Sequence, residues 1–481
     1  MLLFALRLRL NEQGGNVIKL RHQQPSLWHS GLAKDIEDLW EPWMREADQL
    51  LEDAALVEEV YEAQGRRHPN SRTHGRNQTP AEVVLRLLIL KHVRNWSYDT
   101  LEREVRANLV YRAFTRIGDE KVPDAKTLAR LGQAIGPEVI GELHGRLLEL
   151  ARERGVVKGR KMRVDTTAVE TNIHYPTDGG LLGDGARILT RTMKKIEKQA
   201  SGLREKIRDR MRSVTKRVMA IALAGRQPGN VAEERRRKEY GQLLTLTRKI
   251  LNQAQGVVEE VQAFPPRRRG ALQNLTETLE TMMGRVRQVV KQTKARIFQG
   301  LTRYPGKIVS LFEPHTEIIR KGKASKPTEF GKLVKVQEAE NQIIAHYEVF
   351  AERPADQTLL VPAVEEHCRR FGRAPEMVAG DAGFYSLQNE KALTAMGVKR
   401  VSVPNRWTSS AERRKLQKQR WFRAGQKWRT GCEGRISVLK RRHGLTRCRY
   451  RGFAGMQRWV GLGVIADNVI QIGRYLALQR I

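Results

Sequence analysis

Three acidic residues stand where acids are out of place. Asp165 sits inside the apolar, β-branched run Met162-Arg163-Val164-Asp165-Thr166-Thr167, where a carboxylate is disfavoured unless paired or bound to metal. Asp381 ends the short run Glu376-Met377-Val378-Ala379-Gly380 and leads into the turn Ala382-Gly383; ligands of α/β sheets collect just outside such strand ends. Glu433 is the only acid between Arg413 and Arg451, in a segment otherwise rich in cations. With 428–443 taken as helix, Arg429 lies four residues before Glu433 and Lys440 seven after, all on one face. Three converging carboxylates can hold two Mg²⁺ ions about 3.5–4 Å apart, an arrangement suited to in-line displacement at phosphorus, and Mg²⁺ takes such hard oxygen ligands. Each acid also has a plainer reading. Asp165 or Asp381 alone reads as a turn cap, and Glu433 with Arg429 as an ion pair worth about 0.3–0.5 kcal/mol.

The charge around these acids points to a polyanion. In 481 residues, 88 Lys and Arg face 53 Asp and Glu, a formal net charge of +35. The excess is concentrated. Residues 186–305 hold 28 cations against 10 acids, a net of +18, and residues 406–451 hold 16 against 2, a net of +14. Such concentration is the footprint of phosphate-backbone contact, and a single solvated helix face does not account for both segments. Within them Arg429, Lys440 and Arg441, and the cluster Arg267-Arg268-Arg269 beside Pro265-Pro266, are the candidate DNA-contacting cations.

Other chemistries fit less well. Cys368, Cys432 and Cys448 lack the paired spacing of a structural zinc site and are too few for a disulfide scaffold, which suggests a reducing cytoplasm. The opening run MLLFALRLRL carries Arg7 and Arg9 and no small-residue cleavage site, and no stretch of eighteen apolar residues occurs, so neither a secretion signal nor a membrane partner is expected. Gly380 and Gly383 fit neither a P-loop nor a dinucleotide fingerprint, so no nucleotide cofactor is expected. Glu170, Asp178 and Asp184 follow the first Asp closely and read as loop or supporting acids; His174 and His315 are isolated; Lys326, near Glu329, reads as a loop lysine or a phosphate contact.

The elements that must position the acids follow from period and punctuation. Residues 1–78 are weakly patterned. Residues 79–155 read as several short helices, the first with Thr79 as N-cap and Pro80 at its first position; they fit a helix-turn-helix-type DNA reader or a plain helical bundle equally well. Residues 156–185 open the core with a strand. Residues 186–305 read as a basic insertion of three long helices, roughly 186–225, 230–262 and 268–300, forming an arm. Residues 306–481 give a β-hairpin turning near Glu340-Asn341, a helix over 356–371, short strands before Asp381 and at 398–404, and helices jointed at Gly431, Gly434 and Gly452. The sum is α/β, a mixed sheet with helices on both faces, preceded by an all-helical N-terminal domain and interrupted by a helical insertion after the first strand. That order matches an RNase H-like core.

With these motifs in place the chain resembles bacterial insertion-sequence DDE transposases. V-D-T-T at 164–167, G-D-A-G-F-Y-S at 380–386 and E-x6-K-R-R-x-G-L at 433–445 are similar to the three acidic motifs of that class, and 169–189 is similar to a signature of ISNCY-type elements. The acids are 216 and 52 residues apart. The resemblance, over roughly 79–475, implies an enzyme that binds the terminal inverted repeats of its element, hydrolyses DNA to expose 3′-hydroxyls, and joins them to target DNA. It implies Asp165, Asp381 and Glu433 as catalytic metal ligands for two Mg²⁺ (or Mn²⁺) ions. It further implies a homodimer or higher assembly on DNA, and a bacterial cytoplasmic, nucleoid-associated location. In the related Y-x2-R-x3-E-x6-K pattern the Tyr position is Gln426, with Trp428 the nearest aromatic. The alternatives are an inactive or domesticated DNA-binding copy, against which the intact triad argues, and an RNase H-like nuclease without strand transfer.

Overall fold

The strand-forming text around Asp165 becomes the middle of a mixed sheet. The computed structural model describes residues 18–21, 36–67, 70, 72, 78–200, 203–204, 206–226, 228–320 and 327–480. The opening run 1–10 and Lys326 lie outside the described residues. The described strands are β1 (Lys161–Glu170), β2 (Glu317–Arg320), β3 (Thr328–Glu338), β4 (Ile344–Val349), β5 (Met377–Ala379) and β6 (Arg400–Ser402). β1 pairs antiparallel with β3 and parallel with β5; β5 pairs parallel with β6, and β4 antiparallel with β3. The β3–β4 turn falls where the sequence places it, with Asn341 and Gln342 at φ 55° and 65°.

The helices before β1 are α1 (Pro42–Leu50), α2 (Ala54–Gly65), α3 (Ala81–Val93), α4 (Tyr98–Ala107), α5 (Leu109–Phe114), α6 (Ala125–Ala134) and α7 (Pro137–Glu153). Between β1 and β2 come α8 (Asp178–Gln199), α9 (Met211–Ala224), α10 (Asn230–Gln262) and α11 (Pro266–Gln299). After β4 come α12 (Leu360–Phe371), α13 (Leu387–Ala395), α14 (Ala411–Lys418), α15 (Arg420–Arg442) and α16 (Gly452–Gln479). The described chain divides into two compact units, one of Met1–Asn172 with Gly331–Ile481 and one of Ile173–Phe330.

In the first unit the sheet is covered on both faces. Met162 and Val164 of β1 pack with Val378 and with Leu360 and Val364 of α12, while α15 packs against β1, β5 and β6. The N-terminal helices share an apolar core with α16 that includes Trp43, Leu50, Leu87, Leu143 and Ile465. They belong to the same compact unit as the sheet. Every residue of α3 is buried, so this helix cannot be the groove-reading member of a helix-turn-helix. Its N-cap is Pro80, one residue later than expected. Within residues 1–78 the described stretch 42–65 holds two helices. α1 buries Trp43, Met44, Ala47 and Leu50 at helical spacing, and Asp53 caps α2 by accepting from the Ala55 and Leu56 amides.

The second unit starts before and ends after the expected 186–305. Thr177 caps α8, which begins at Asp178, and the expected helix over 186–225 breaks into α8 and α9, giving four helices among the described residues instead of three. Their apolar stripes meet in one core around Leu189, Met193, Leu243, Val257, Val286 and Val289. The 33 and 34 residues of α10 and α11 make each about 50 Å long. Glu170, the last residue of β1, pairs with Gly331 on β3. A Cβ on Gly331 would lie 2.0 Å from the Val169 carbonyl oxygen, so only glycine fits there.

α15 is longer than its expected span, and Gly431 and Gly434 lie inside it instead of at joints. It is tied to α16 by a buried pair in which Arg435 Nη1 donates to Asp467 Oδ1 (2.8 Å) and Oδ2 (3.2 Å). No helix among the described residues is long and apolar enough to cross a membrane. Removing one member of a buried ion pair strands the other charge, whereas replacing both with apolar groups is often tolerated. Asp467→Leu alone is therefore expected to cost about 3–5 kcal/mol, and Arg435→Met with Asp467→Leu to recover most of it. Urea unfolding followed by tryptophan fluorescence measures both; equal stabilities would show that this pair does not hold α15.

Candidate active site

Asp165 lies five residues into β1, and alternation puts it on the same face as Arg163, the face covered by α15. The parallel ladder pairs Arg163 with Ala379, and the same offset, carried on, sets Asp165 level with Asp381 just past β5. The Asp381 carboxylate accepts a 2.8 Å hydrogen bond from the Gly383 amide, so it caps the turn Ala382–Phe384, as the plainer reading expects. Glu433 projects from α15 and is half exposed.

Arg429 links the acids. Its Nη2 lies 2.9 Å from Glu433 Oε1 and its Nη1 3.7 Å from Asp165 Oδ2. The intrahelical ion pair of the plainer reading is therefore present, and its guanidinium also reaches the strand. Burial foremost, and then the like charges of Asp381 and Glu433, raise the Asp165 pKa to about 6, against the Thr166 amide hydrogen bond and Arg429, which lower it. Asp165 thus feels the charge of both other acids. They do not form a closed cage: among the described residues no three His, Cys, Asp or Glu groups stand at metal-holding distances. The donor set nevertheless suits a hard divalent cation. It is all oxygen, the ligand type such an ion takes, and Arg429 stands beside two of the three acids.

Three supporting residues escaped the sequence reading. Arg163 donates to Glu338 and to the Trp428 carbonyl, and its guanidinium lies 4.8 Å from the Trp428 ring centroid. Trp428 is therefore engaged below the helix and does not supply the aromatic missing from position 426. Gln426 does something else there: its amide donates to the Gly380 carbonyl (3.3 Å), to Ser402 Oγ (3.1 Å) and to the Ser402 carbonyl, clasping β5 to β6 one residue before Asp381. Asp356 accepts from Thr166 Oγ1 at 3.3 Å. A Cβ on Gly383 would lie 3.3 Å from Asp356 Oδ2 and 3.2 Å from Asp381 Oδ1, so a fourth carboxylate borders the cluster.

The remaining candidates separate. Lys440 and Arg441 lie at the far end of α15 and line a cleft there. In the second unit Arg267 and Arg269 are exposed in the first turn of α11, while the Arg268 guanidinium sits 4.0 Å from the Phe264 ring centroid. Glu170 pairs with Arg447 at 3.2 Å. Within the second unit Asp178 pairs with Arg296, Asp184 with Arg187 and His174, and His315 with Glu313. The cysteines form no disulfide among the described residues, and Cys432 and Cys448 are buried.

A carboxyl whose pKa rises from 3.8 to about 6 on folding weakens the fold once ionised. The penalty is complete above pH 6 and absent below pH 3.8. Asp165→Asn, which keeps the shape and removes the charge, is expected to stabilise the metal-free protein by about 2–3 kcal/mol at pH 7.5. The gain should vanish near pH 4. Thermal unfolding of both proteins in EDTA across this range checks the sign, and a variant less stable at pH 7.5 would contradict it.

Comparison with known families places two stretches of this architecture. Residues 41–133, which run from α1 to the penultimate residue of α6, match the family described as Transposase domain (DUF772). Residues 392–473, which contain Arg429, Glu433 and Lys440, match the family described as Transposase DDE domain. No curated protein and no solved structure matches the chain. A match to a transposase domain ahead of the sheet, and one to a DDE domain that spans β6 and carries Glu433, together support an insertion-sequence DDE transposase.

Proposed function

We propose that the chain binds the ends of an insertion sequence, cuts them by metal-dependent hydrolysis and joins the 3′-ends to target DNA. The observation that supports this reading is that Arg429 reaches both Asp165 and Glu433, while the β1–β5 register sets Asp381 level with Asp165. Asp165, Asp381 and Glu433 are the residues that would hold Mg²⁺ or Mn²⁺. Two bound ions would supply charge stabilisation to the attacking and leaving oxygens of an in-line phosphoryl transfer.

The chain's own residues do the positioning. Gln426 fixes the backbone before Asp381, and the Thr166 amide orients the Asp165 carboxylate at 2.7 Å. Arg429 stands close enough to pass from the carboxylates to a substrate phosphate as charge is redistributed, a bidentate role suited to guanidinium. The exposed cations of residues 186–305 and 406–451 supply sequence-independent affinity, since phosphate contacts position DNA without reading it. The same acids suit a nuclease that stops at hydrolysis, and a strand-transfer assay separates the two.

Asp165→Asn, Asp381→Asn and Glu433→Gln should each lower Mg²⁺-dependent cleavage and joining of end DNA by orders of magnitude, while binding in EDTA survives. Loss of binding in parallel with cleavage would make the acids structural. In the second unit, Arg267→Ala with Arg269→Ala should flatten the dependence of log K on log salt by about 0.9 for each phosphate no longer neutralised, for all sequences alike. Arg268, stacked on Phe264, is left in place. An unchanged slope would make this cluster a solvated face.

A further inference from the structure

Beyond the carboxylates, the first unit contains two adjoining clefts of about 420 and 500 Å³ that share Asn95 and Arg441. Lys440, Thr446, Arg447 and Arg449 line one of them. Arg94, Arg442 and Arg474 line the other, where Glu41 is the only acid among the described residues. We propose that these clefts form one continuous track for the backbone phosphates of the DNA strand whose scissile bond lies at the carboxylates. This rests on the proposed strand-transfer reading.

The placement follows from two elements that run the same way. Along α15, Lys440 and Arg441 come seven and eight residues after Glu433, about 10–12 Å further on. Along β1, Glu170 comes five residues after Asp165, about 16 Å further on. The two ends meet: the Glu170 amide donates to the Thr446 carbonyl at 3.1 Å, and the Cys448 amide to the Glu170 carbonyl at 2.7 Å. The clefts therefore open about three to five nucleotides from the acids, at 3.4 Å per step of a strand.

The walls are built to hold this shape. Asn95 turns the chain after α3 at φ 53°, and its carbonyl accepts from Arg449 Nη1 at 3.2 Å. Gly444 turns the chain after α15 at φ 76°, and a Cβ there would lie 2.7 Å from both Asn95 Oδ1 and the Trp459 ring. Two left-handed turns thus interlock at the point the clefts share. A lining in which cations far outnumber the single acid, with side-chain amides and a hydroxyl beside them, matches phosphate oxygens.

The test uses the full chain in EDTA. Arg441→Gln with Arg442→Gln changes two exposed side chains, and unchanged thermal unfolding verifies the fold. Anisotropy titration of a 30-base-pair mixed-sequence duplex should then show the salt slope flattened by about 1.8. With end DNA, phosphates three to five nucleotides from the cut bond, whose ethylation blocks binding of the unmodified protein, should no longer interfere with the variant. An unchanged slope overturns the track, and a loss of interference at phosphates more than one helical turn from the cut overturns its position. Inorganic phosphate at millimolar concentration competing as well as the duplex would overturn it in favour of a free-phosphate site. If the slope flattens but Mg²⁺ cleavage is absent or survives Asp165→Asn, the catalytic reading fails and the track stands.

Discussion

The Arg163 guanidinium, buried between sheet and helix, joins β1 to Glu338 of β3 on one side and to the Trp428 carbonyl of α15 on the other. Few interactions are as demanding. A buried ion pair repays its desolvation only with close geometry and further hydrogen bonds, and Glu338 is itself fully buried, its carboxyl pushed up by burial. The helix can come this close because residue 431 is glycine; a Cβ there would lie 2.3 Å from Arg163 Nη1. Since Arg163 is two residues from Asp165, and Trp428 adjoins Arg429, this contact fixes the distance between the strand's acid and the helix that brings the other charges.

A second constraint follows from that closeness. Asp165 is largely buried, and it faces two further carboxylates and one guanidinium. Such a cluster is under electrostatic tension before any ligand arrives, and burial in a lower dielectric makes the tension larger. Tension of this kind favours whatever brings positive charge, which is why an acid cluster and two strongly basic segments can serve one chain without contradiction. The sheet supplies the tension, the end of α15 supplies the cations, and one helix carries both Glu433 and Lys440.

Much of this arrangement was legible in the sequence because its signals are local. An acid in a β-branched run, a strand feeding Asp381 into a glycine turn, and a lone Glu among cations each stand out against immediate neighbours. The hairpin turn was legible for the same reason. What escaped depends on residues far apart in the chain. Nothing near Gln426 announces that it bonds to Gly380 and Ser402, and nothing near Asp356 announces Thr166. Gly431 read as a joint because a glycine in basic helical text suggests a break, whereas its cause is a guanidinium more than 260 residues away in sequence. The helices α1 and α2 did carry helical spacing, in segments too short to dominate a polar stretch.

The pairing of Glu170 with Gly331 also bears on how the chain acquires its shape. To zip β1 onto β3, an unstructured chain must close a loop of roughly 160 residues, at an entropic cost about 3 kcal/mol above that of a four-residue hairpin. The second unit can remove most of that cost in advance. Its helices are joined by short connections and close on local contacts, which form fast, and its two ends meet where Tyr175 packs edge-on against Phe330 with ring centroids 5.5 Å apart. Once folded, this unit acts as a bracket that delivers the two strand termini side by side. On loop-closure and contact-order grounds the inserted helices are expected to fold first and the sheet, assembled from distant pieces, last.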